Sequence, residues 1–383
     1  MLPSEPTSLL SRARHSVNLW TGTALFNSRS SGSYFEYVLE AIDPMWSLKY
    51  NKARIIGLRP ETDETKTLIL KPSPRWSGFL PGQHINLSVE INGAWQTRVF
   101  TIASSPNRFI ETGLIELTLK SIEGGKITPW LHKPGSINNV ARISDAYGDF
   151  LLPNSHEGHS LYLAAGSGIT PVMSHLRELV NQQFPYPVTL MYYASTPADW
   201  IFVRELKAMS KALKRFRLHL IATRDSAKDE SAAGRIRPEQ LKKLLVKPPT
   251  QIFVCGPSGF ETKAKETLET LELQLVPTRS EHFTARPRMV DPKLGTAESK
   301  ANIQFTHSGI NIESPQQTTL LEAAEQNGLS PTAGCRMGIC HTCKCTKTAG
   351  VVRNLRTGEV SGPGEEEIQL CVSVPESDIT LKI

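Results

Sequence analysis

The stretch GCRMGICHTCKC, residues 334–345, holds four of the six cysteines in the chain. The other two, Cys255 and Cys371, lie outside it. A chain of 383 residues is long enough to bury several cores and needs no disulfide staples. Clustered cysteines in such a chain favour a metal site over a disulfide scaffold. A tetrathiolate site takes four sulfurs, and this stretch supplies either all four or only three of them.

The spacing within the stretch favours a binuclear iron–sulfur cluster. Cys335, Cys340 and Cys343, followed by a distant cysteine, form the C-x4-C-x2-C…C arrangement of [2Fe–2S] sites. Gly334 and Gly338 give the loop the freedom to point backbone N–H groups at the sulfurs. Zinc is the alternative metal, but zinc sites typically use two C-x2-C pairs, and this stretch contains only one.

The last cysteine of the stretch, Cys345, fits a ligand role poorly. In an extended segment, Cys343 and Cys345 lie on one face about 6.8 Å apart. Two sulfurs at about 2.3 Å from one tetrahedral metal lie only about 3.8 Å apart. The surrounding TCKCTK contains no Gly or Pro that would make the sharp bend this requires. We therefore expect Cys345 to be a small side chain near the cluster.

The sequence upstream predicts an antiparallel β-barrel over residues 51–155. Short runs rich in branched residues, such as QHINLSVEI and QTRVFTIAS, are separated by turn signals such as LPGQ and SSPN. Short strands at this spacing are typical of closed barrels. Residues 1–50 precede the barrel as an N-terminal extension, in which YFEYVLEAIDPMW predicts a short amphipathic helix that ends before Pro44.

The pattern changes over residues 156–285, where apolar strand candidates alternate with helical segments. This alternation predicts a parallel sheet with helices on its faces. Residues 286–301 carry Pro, Gly and charge without periodicity, which indicates a linker. Residues 302–383 then form a C-terminal α+β domain, with two short strands, an amphipathic helix stopped by Gly328, the cysteine stretch and a last strand.

The barrel segment RVFTIASS, residues 98–105, has the residue types of a flavin site. Arg98 can pair with a pyrophosphate, and Phe100 can lie against an isoalloxazine ring. Thr101 can offer its hydroxyl to flavin N5, the atom that accepts hydride. Taken alone, an arginine two residues before an aromatic on a strand is more often plain structure.

The stretch GSGITP, residues 166–171, ends a strand and opens a helix. Gly166 and Gly168 let backbone N–H groups approach a pyrophosphate at the start of the helix, and Pro171 suits its first turn. The stretch departs from the G-x-G-x-x-G fingerprint in its last residue, so it is weak evidence for a dinucleotide when taken alone. The predicted contacts comprise Gly166, Ser167, Gly168 and Thr170.

Three motifs in order resemble the ferredoxin–NADP reductase superfamily joined to a plant-type ferredoxin domain. The flavin motif of that superfamily is Arg-x-Tyr-Ser/Thr, and RVFT differs from it by the aromatic, which keeps stacking but loses a tyrosyl hydroxyl. Its nucleotide motifs are G-x-G-[IVL]-[TA]-P and CGP, which GSGITP and VCGPSGF match. The ferredoxin resemblance covers CRMGICHTC and the closing LCVSVPESDITL, and implies a β-grasp fold.

The resemblance implies further site residues. The fourth cluster ligand falls at Cys371, and Cys255 lies beside the nicotinamide. Phe283 packs on the second flavin face. A supporting turn for the flavin pyrophosphate corresponds to GGKIT, which favours FAD over FMN. The remaining cofactor-binding residues expected from these motifs are Val99, Gly125, Lys126, Ile127, Thr128, Gly256 and Pro257.

The sequence favours NADPH over NADH as the electron donor. A 2′-phosphate is held by basic or hydroxyl side chains, and Arg224, Arg235, Ser195 and Thr196 lie where they could supply them. No acidic residue follows MYYAS immediately to hold a free 2′-hydroxyl. Each of these residues could equally be ordinary surface.

The expected function is an NAD(P)H-dependent oxidoreductase that passes electrons through FAD and a [2Fe–2S] cluster, one at a time, to a partner protein. DPMWS, residues 43–47, resembles reductases of membrane di-iron fatty-acyl desaturases, which allows peripheral association with a membrane partner. The alternatives are a reductase for a ring-hydroxylating or other soluble oxygenase and a cluster-based redox sensor.

The distribution of charge along the chain indicates which classes of partner to expect. The net charge of +6 is uneven, because residues 302–383 carry six Lys and Arg against nine Asp and Glu. An acidic electron carrier next to a basic module or partner would have this distribution. No basic run with interleaved aromatics indicates a nucleic-acid partner. The chain has no run of about 18 apolar residues and no signal-type apolar region, so we expect a cytoplasmic protein.

Overall fold

The computed structural model describes residues 31–91, 93–153, 158–224, 234–245, 247–282, 299–329, 331–333, 338 and 343–383. Three main sheets follow one another along the chain, an antiparallel one, a parallel one and a mixed one. This order agrees with the predicted barrel, α/β and α+β domains. No helix in the described ranges is long and apolar enough to span a membrane.

The first sheet forms the barrel, with strand order β4-β3-β6-β1-β2-β5. An antiparallel bridge between Ile102 and Leu117 joins the two edges, so the barrel closes. Its interior is filled by branched side chains from alternate positions, including Ile55, Leu70 and Ile85. The elements are β1 (Asn51–Thr62), β2 (Thr65–Pro72), β3 (His84–Ile91), β4 (Ala94–Thr101), β5 (Ile115–Lys120), β6 (Val140–Ile143) and the helices α2 (Pro106–Thr112) and α3 (Ile127–Leu131).

Helix α1 (Ser31–Ile42) precedes the barrel and ends before Pro44, as the sequence predicted. The segment after it is tied to the barrel by Lys52, a buried residue of β1. Its ammonium group donates to Glu40 Oε1 at 2.8 Å and to the carbonyl oxygen of Pro44 at 2.7 Å. The N-terminal extension is therefore packed on the barrel from at least Glu40 onwards.

The second sheet is parallel, with order β11-β10-β7-β8-β9. Its central strands are buried on both faces, which explains their continuous apolar sequences. The carboxyl ends of all five strands meet at one edge, where ligands bind in folds of this kind. The strands are β7 (Ser160–Ala165), β8 (Val188–Ala194), β9 (Phe216–Ala222), β10 (Gln251–Gly256) and β11 (Thr278–His282), and the helices are α4 (Ile169–Asn181), α5 (Val203–Ala212), α6 (Pro238–Leu244) and α7 (Ser258–Thr270).

Helix α4 lies against the barrel and forms the seam between the two domains. Ser174 Oγ donates to the carbonyl oxygen of Ser104 at 2.8 Å, and His175 Nε2 donates to that of Phe150 at 3.0 Å. A Cβ atom at Gly82 would lie 1.9 Å from the Phe150 oxygen and 2.5 Å from His175 Nε2. Only glycine fits there, so the PGQ turn of the barrel sets how closely the domains approach.

A buried carboxylate at the same seam binds three arginines. Glu116 of β5 contacts Arg59 at 3.0 Å, Arg108 at 3.1 Å and Arg177 of α4 at 3.0 Å. Burial alone would raise the pKa of Glu116, but the hydrogen bond from Arg59 and the three positive charges hold it below its usual range. Arg177 also pairs with Glu205 of α5 at 2.7 Å, so the network spans both domains.

The C-terminal domain has a five-stranded mixed sheet of order β13-β12-β18-β14-β16 and a two-stranded ribbon of β15 and β17. Parallel β12 and β18 stand side by side between antiparallel neighbours, which agrees with the β-grasp expectation. Strand β12 begins at Lys300, inside the expected linker. The elements are β12 (Lys300–Phe305), β13 (Ile310–Pro315), α8 (Leu320–Gln326), β14 (Lys344–Ala349), β15 (Val352–Asn354), β16 (Glu366–Gln369), β17 (Ser373–Pro375) and β18 (Ile379–Leu381).

Candidate redox site

The flavin motif lies at the end of β4, at the domain seam. Thr101 is 3% exposed, and its Oγ1 has no hydrogen-bond partner within the described part of the chain. A buried hydroxyl without a partner costs about 1–3 kcal/mol unless a bound group satisfies it. Thr101 therefore fits the expected position beside flavin N5.

The neighbouring residues of the motif are half-buried along the same strand. Phe100 packs one side of its ring against the barrel core and leaves the rest accessible. The Arg98 guanidinium donates to the carbonyl oxygen of Thr97 at 2.7 Å, which holds the side chain close to the strand. Val99 pairs with Asn86 of β3 through the backbone. Arg98 and Phe100 thus share one face of the strand that ends at Thr101.

The predicted pyrophosphate turn lies at the start of α3. Gly125 and Lys126 precede the helix, and Ile127 and Thr128 are buried in its first turn. Thr128 Oγ1 accepts a hydrogen bond from the Ile122 amide at 3.0 Å. This bond uses the oxygen as acceptor and leaves the hydroxyl proton available as a donor.

The two nucleotide motifs meet at the carboxyl edge of the parallel sheet. Gly166, Ser167 and Gly168 form a 3-10 turn after β7, and a Cβ atom at Gly168 would lie 2.2 Å from the carbonyl oxygen of Cys255 in β10. A side chain at Gly168 would therefore push the two turns apart. The Thr170 hydroxyl donates to the Ser167 carbonyl at 3.0 Å and stabilises the start of α4.

Cys255, in the VCGPSGF motif, is fully buried. Burial, followed by the negative charges of Glu281 and Glu261, raises the pKa of its thiol well above the usual range. The thiol therefore stays protonated near neutral pH, and can serve as a small packing surface but not as a thiolate. Gly256 ends β10, and Pro257 leads into α7.

A histidine–glutamate pair joins the barrel to the parallel sheet beside these motifs. His84 Nδ1 lies 2.8 Å from Glu281 Oε1. In the strand registers, His84 is opposite Thr101 and Glu281 is opposite Cys255. The pair therefore connects the strand position of the flavin motif to that of the nicotinamide motif. His84 Nε2 and Glu281 Oε2 are buried and have no partner among the described residues.

This pair was not predicted from the sequence, although both residues stand in or beside predicted features. His84 belongs to the strand candidate QHINLSVEI, and Glu281 lies two residues before Phe283. Polar residues at the ends of two strands that flank a predicted cofactor site were the available signal. Phe283, predicted to cover the second flavin face, lies outside the described residues.

The candidate 2′-phosphate residues follow β8 and β9. The Arg224 amide donates to the Ser195 carbonyl at 3.0 Å, so the backbone brings these two residues together. Arg224 and Arg235 are both exposed. Thr196 instead caps the turn that follows β8, with its amide and hydroxyl both donating to Asp199 at 2.9 Å. Thr196 thus has a structural role that its sequence position did not reveal.

The C-terminal domain buries two of the predicted cluster ligands at the end of the β14–β16 ladder. Cys343 and Cys371 are both buried, and the Gly338 amide donates to Cys371 Sγ at 3.3 Å. Such N–H donors stabilise thiolates that bind iron. The Leu370 amide donates to the Cys343 carbonyl at 3.1 Å and joins the two segments. Cys335 and Cys340 lie outside the described residues.

Cys345 faces another direction. It lies in β14 opposite Ile368, and its thiol lies 3.5 Å from the Thr346 carbonyl oxygen and 3.8 Å from that of Lys382. Burial raises the pKa of this thiol to about 11. Cys345 thus contacts backbone carbonyls in the domain core, and its exclusion from the ligand set stays a prediction.

Comparison with known proteins identifies all three domains. Family models match in order: an oxidoreductase FAD-binding domain over residues 62–152, an oxidoreductase NAD-binding domain over residues 162–266, and a 2Fe-2S iron-sulfur cluster binding domain over residues 303–376. Together with the buried hydroxyl of Thr101 and the close-packed nucleotide turns, these matches assign FAD, a nicotinamide nucleotide and a [2Fe–2S] cluster to the chain.

Similar proteins share the whole arrangement. An NADPH oxidoreductase of Mycobacterium tuberculosis is 32% identical over 90% of this chain and 87% of its own length. A glycine betaine monooxygenase reductase subunit of Chromohalobacter salexigens is 28% identical over 88% of this chain and 96% of its own. The solved structure of phthalate dioxygenase reductase, 19% identical, covers 88% of this chain and 98% of its own with a TM-score of 0.58. The chain belongs to the ferredoxin–NAD(P) reductase superfamily, as an NAD(P)H-dependent flavoprotein with a C-terminal plant-type [2Fe–2S] ferredoxin domain.

Proposed function

We propose that this protein is the reductase component of an oxygenase system, and that it takes electrons from NADPH and delivers them singly to the oxygenase. One observation carries the proposal: the strand registers and the His84–Glu281 contact link the positions of Thr101 and Cys255 at one domain seam. The flavin motif and the nicotinamide motif therefore share one site. When bound there, FAD accepts hydride from the nicotinamide, and the cluster carries one electron at a time.

The residues of the chain supply binding, orientation and exclusion of water. Arg98 and the turn ending in Thr128 would hold the flavin pyrophosphate, and the Thr101 hydroxyl would be the hydrogen-bond donor towards N5. The neutral Cys255 thiol packs beside the nicotinamide ring without adding charge. Gly166 would leave room for the nucleotide pyrophosphate at the start of α4, a 13-residue helix, whereas Gly168 lets the turn pack directly against Cys255.

NADPH is the proposed donor because Arg224 and Ser195 are adjacent through their backbones at the expected adenosine end. An exposed guanidinium beside a hydroxyl suits a 2′-phosphate. We expect Arg224→Ala to raise the KM for NADPH about tenfold and leave that for NADH nearly unchanged. Lys211→Ala, on the exposed part of α5, is a matched control for loss of one positive charge. An equal effect of Arg224→Ala on both nucleotides would contradict the assignment.

For the acceptor, we propose a membrane di-iron fatty-acyl desaturase, on the resemblance of DPMWS, residues 43–47, to reductases that serve such enzymes. A soluble oxygenase is the second candidate. It is favoured by the similarity to glycine betaine monooxygenase reductase subunits, which are 28% identical to this chain.

Anaerobic titration of the holoprotein with NADPH, followed by absorbance and electron paramagnetic resonance, tests the reductase proposal. We expect the flavin to bleach and the signal of a reduced [2Fe–2S] cluster to appear. No cluster signal with either nucleotide would overturn the reductase proposal and favour the redox-sensor alternative. Reconstitution with a membrane desaturase and with a soluble ring-hydroxylating oxygenase then separates the two acceptors, since only the true partner should turn over with NADPH.

A further inference from the structure

The segment that follows α1 exposes large apolar side chains close together. Ile42 is 66% exposed, Trp46 51% and Leu48 67%. We call residues 42–49 the apolar loop. Exposed apolar side chains are common when scattered singly, but here three of them lie within seven residues of the sequence, and such clustering is seen at interaction sites.

The polar groups of the apolar loop point inwards. Glu36 of α1 accepts from the Ser47 hydroxyl and from the Leu48 amide, the latter at 2.9 Å. Lys52 donates to the Trp46 carbonyl at 3.1 Å, and Arg75 donates to the Ser47 carbonyl at 2.6 Å. Trp46 and Leu48 flank Ser47, so the chain alternates between a polar side chain facing the protein and apolar side chains facing outwards.

These contacts fix the loop in its exposed conformation. Lys52 is itself 4% exposed and also binds Glu40. The carbonyl groups of the loop therefore accept hydrogen bonds from a buried cation of the barrel. A loop that exposed Trp46 and Leu48 only through fraying would lack such bonds. The outward apolar side chains are therefore presented by a supported backbone.

The charges around the apolar loop favour an anionic surface. Asp43 pairs with Arg54 at 3.5 Å, and Glu40 pairs with Lys52. The third carboxylate of this region, Glu36, accepts hydrogen bonds from Ser47 and Leu48. Lys49 and Arg75 are exposed, and no carboxylate among the described residues lies within salt-bridge distance of them.

We propose that the apolar loop seats the reductase on the surface of a lipid bilayer that contains anionic lipids. Tryptophan and aliphatic side chains beside lysine and arginine are the composition of segments that bind at the membrane interface. A protein partner fits less well, because a stable interface buries about 800 Å² per side and this patch is a single short loop. The inference rests on the proposed membrane acceptor, which requires its reductase at the bilayer.

The test is co-sedimentation of the full-length holoprotein with vesicles of phosphatidylcholine alone or mixed with phosphatidylglycerol. We expect binding to the anionic vesicles that weakens with added salt. The double variant Trp46→Ala/Leu48→Ser should bind about tenfold more weakly. The matched control is Leu275→Ser, which removes an apolar residue that is 90% exposed in the α/β domain, and it should bind like the unchanged protein.

Two results would overturn the proposal: absence of binding to anionic vesicles, or equal binding by the double variant and the unchanged protein. Sedimentation velocity without lipid can give a third such result. If the unchanged protein is oligomeric and the double variant is monomeric, the apolar loop is a contact between copies of this chain. NADPH-driven cluster reduction, measured on the same samples, distinguishes failure of the membrane proposal from failure of the reductase proposal. Normal reduction without vesicle binding would reject only the membrane contact, whereas absent reduction would reject the reductase function.

Discussion

A single histidine in the domain seam should make the stability of this protein depend on pH. His175 of α4 is fully buried, and it lies between the Phe150 carbonyl, to which Nε2 donates, and the Tyr162 hydroxyl, 3.2 Å from Nδ1. Burial lowers its pKa from the usual 6.5 to about 4. The folded protein therefore keeps His175 neutral at pH values where the unfolded chain protonates it.

The sign and size of the effect follow from proton linkage. Below pH 6.5 the unfolded state binds a proton that the folded state refuses, so stability falls as the pH falls towards 4. With these two pKa values, His175 removes about 2 kcal/mol of unfolding free energy between about pH 7.5 and about pH 5.0. The full loss, reached below the folded pKa, is about 3 kcal/mol.

The perturbation is His175→Gln, which cannot titrate. A chain of three domains does not unfold in one step, so the readout is hydrogen exchange of α4 amides, corrected for intrinsic rates at each pH. The unchanged protein should lose about 2 kcal/mol more opening free energy than the variant between the two pH values. His307→Gln, at an exposed position of the C-terminal domain, is the control and should follow the unchanged protein.

The quantity to compare is the change in opening free energy between the two pH values. The absolute opening free energies also differ between the two proteins, because the substitution removes packing at both pH values. Other groups that titrate in this range contribute equally to both proteins and cancel. Equal pH losses in the unchanged protein and the glutamine variant would show that His175 is not held neutral at the seam, and would refute this reasoning.

Three further predictions concern the cofactors and the seam. Cys371→Ser should abolish the visible and paramagnetic signals of the native cluster, whereas Cys345→Ser, whose thiol contacts backbone carbonyls in the core, should leave both intact; the reverse outcome would exchange the two assignments. Thr101→Val should slow flavin reduction by NADPH about 100-fold in stopped-flow absorbance while FAD stays bound, because a hydrogen-bond donor at N5 is lost; an unchanged rate would remove Thr101 from the site. Glu116→Ala should lower the opening free energy of the α4 amides in hydrogen exchange by about 3–5 kcal/mol, because three arginines, among them Arg177 of α4, lose their shared carboxylate, and a loss below about 1 kcal/mol would mean that solvent replaces it.

The sequence predicted the three domains because each fold leaves a local pattern in the chain. Strand spacing marked the barrel, alternating strands and helices marked the parallel sheet, and cysteine spacing marked the ferredoxin domain. The rejection of Cys345 as a ligand also rested on local geometry, the separation of two side chains two residues apart. The contacts of Cys345 with backbone carbonyls are the reason for testing that prediction with Cys345→Ser.

The seam was not predictable in the same way. His84 and Glu281 stand 197 residues apart, and neither is unusual in its own stretch. Glu116 is one of two charged residues on β5, and the three arginines that neutralise its charge come from separate parts of the chain. The role of such a residue depends on which side chains it contacts, and those contacts form only when the two folded domains come together.

The Gly82 turn has a consequence for recombination and engineering. Because the Phe150 oxygen and His175 leave no room for a side chain there, the barrel and the nucleotide domain are fitted to each other at atomic distance. Consider a chimera that joins this barrel to a foreign nucleotide domain. Unless that domain has a histidine at the position of His175 in α4, the Phe150 carbonyl would be buried without its hydrogen-bond donor. We expect the two domains to be inherited and exchanged as one unit.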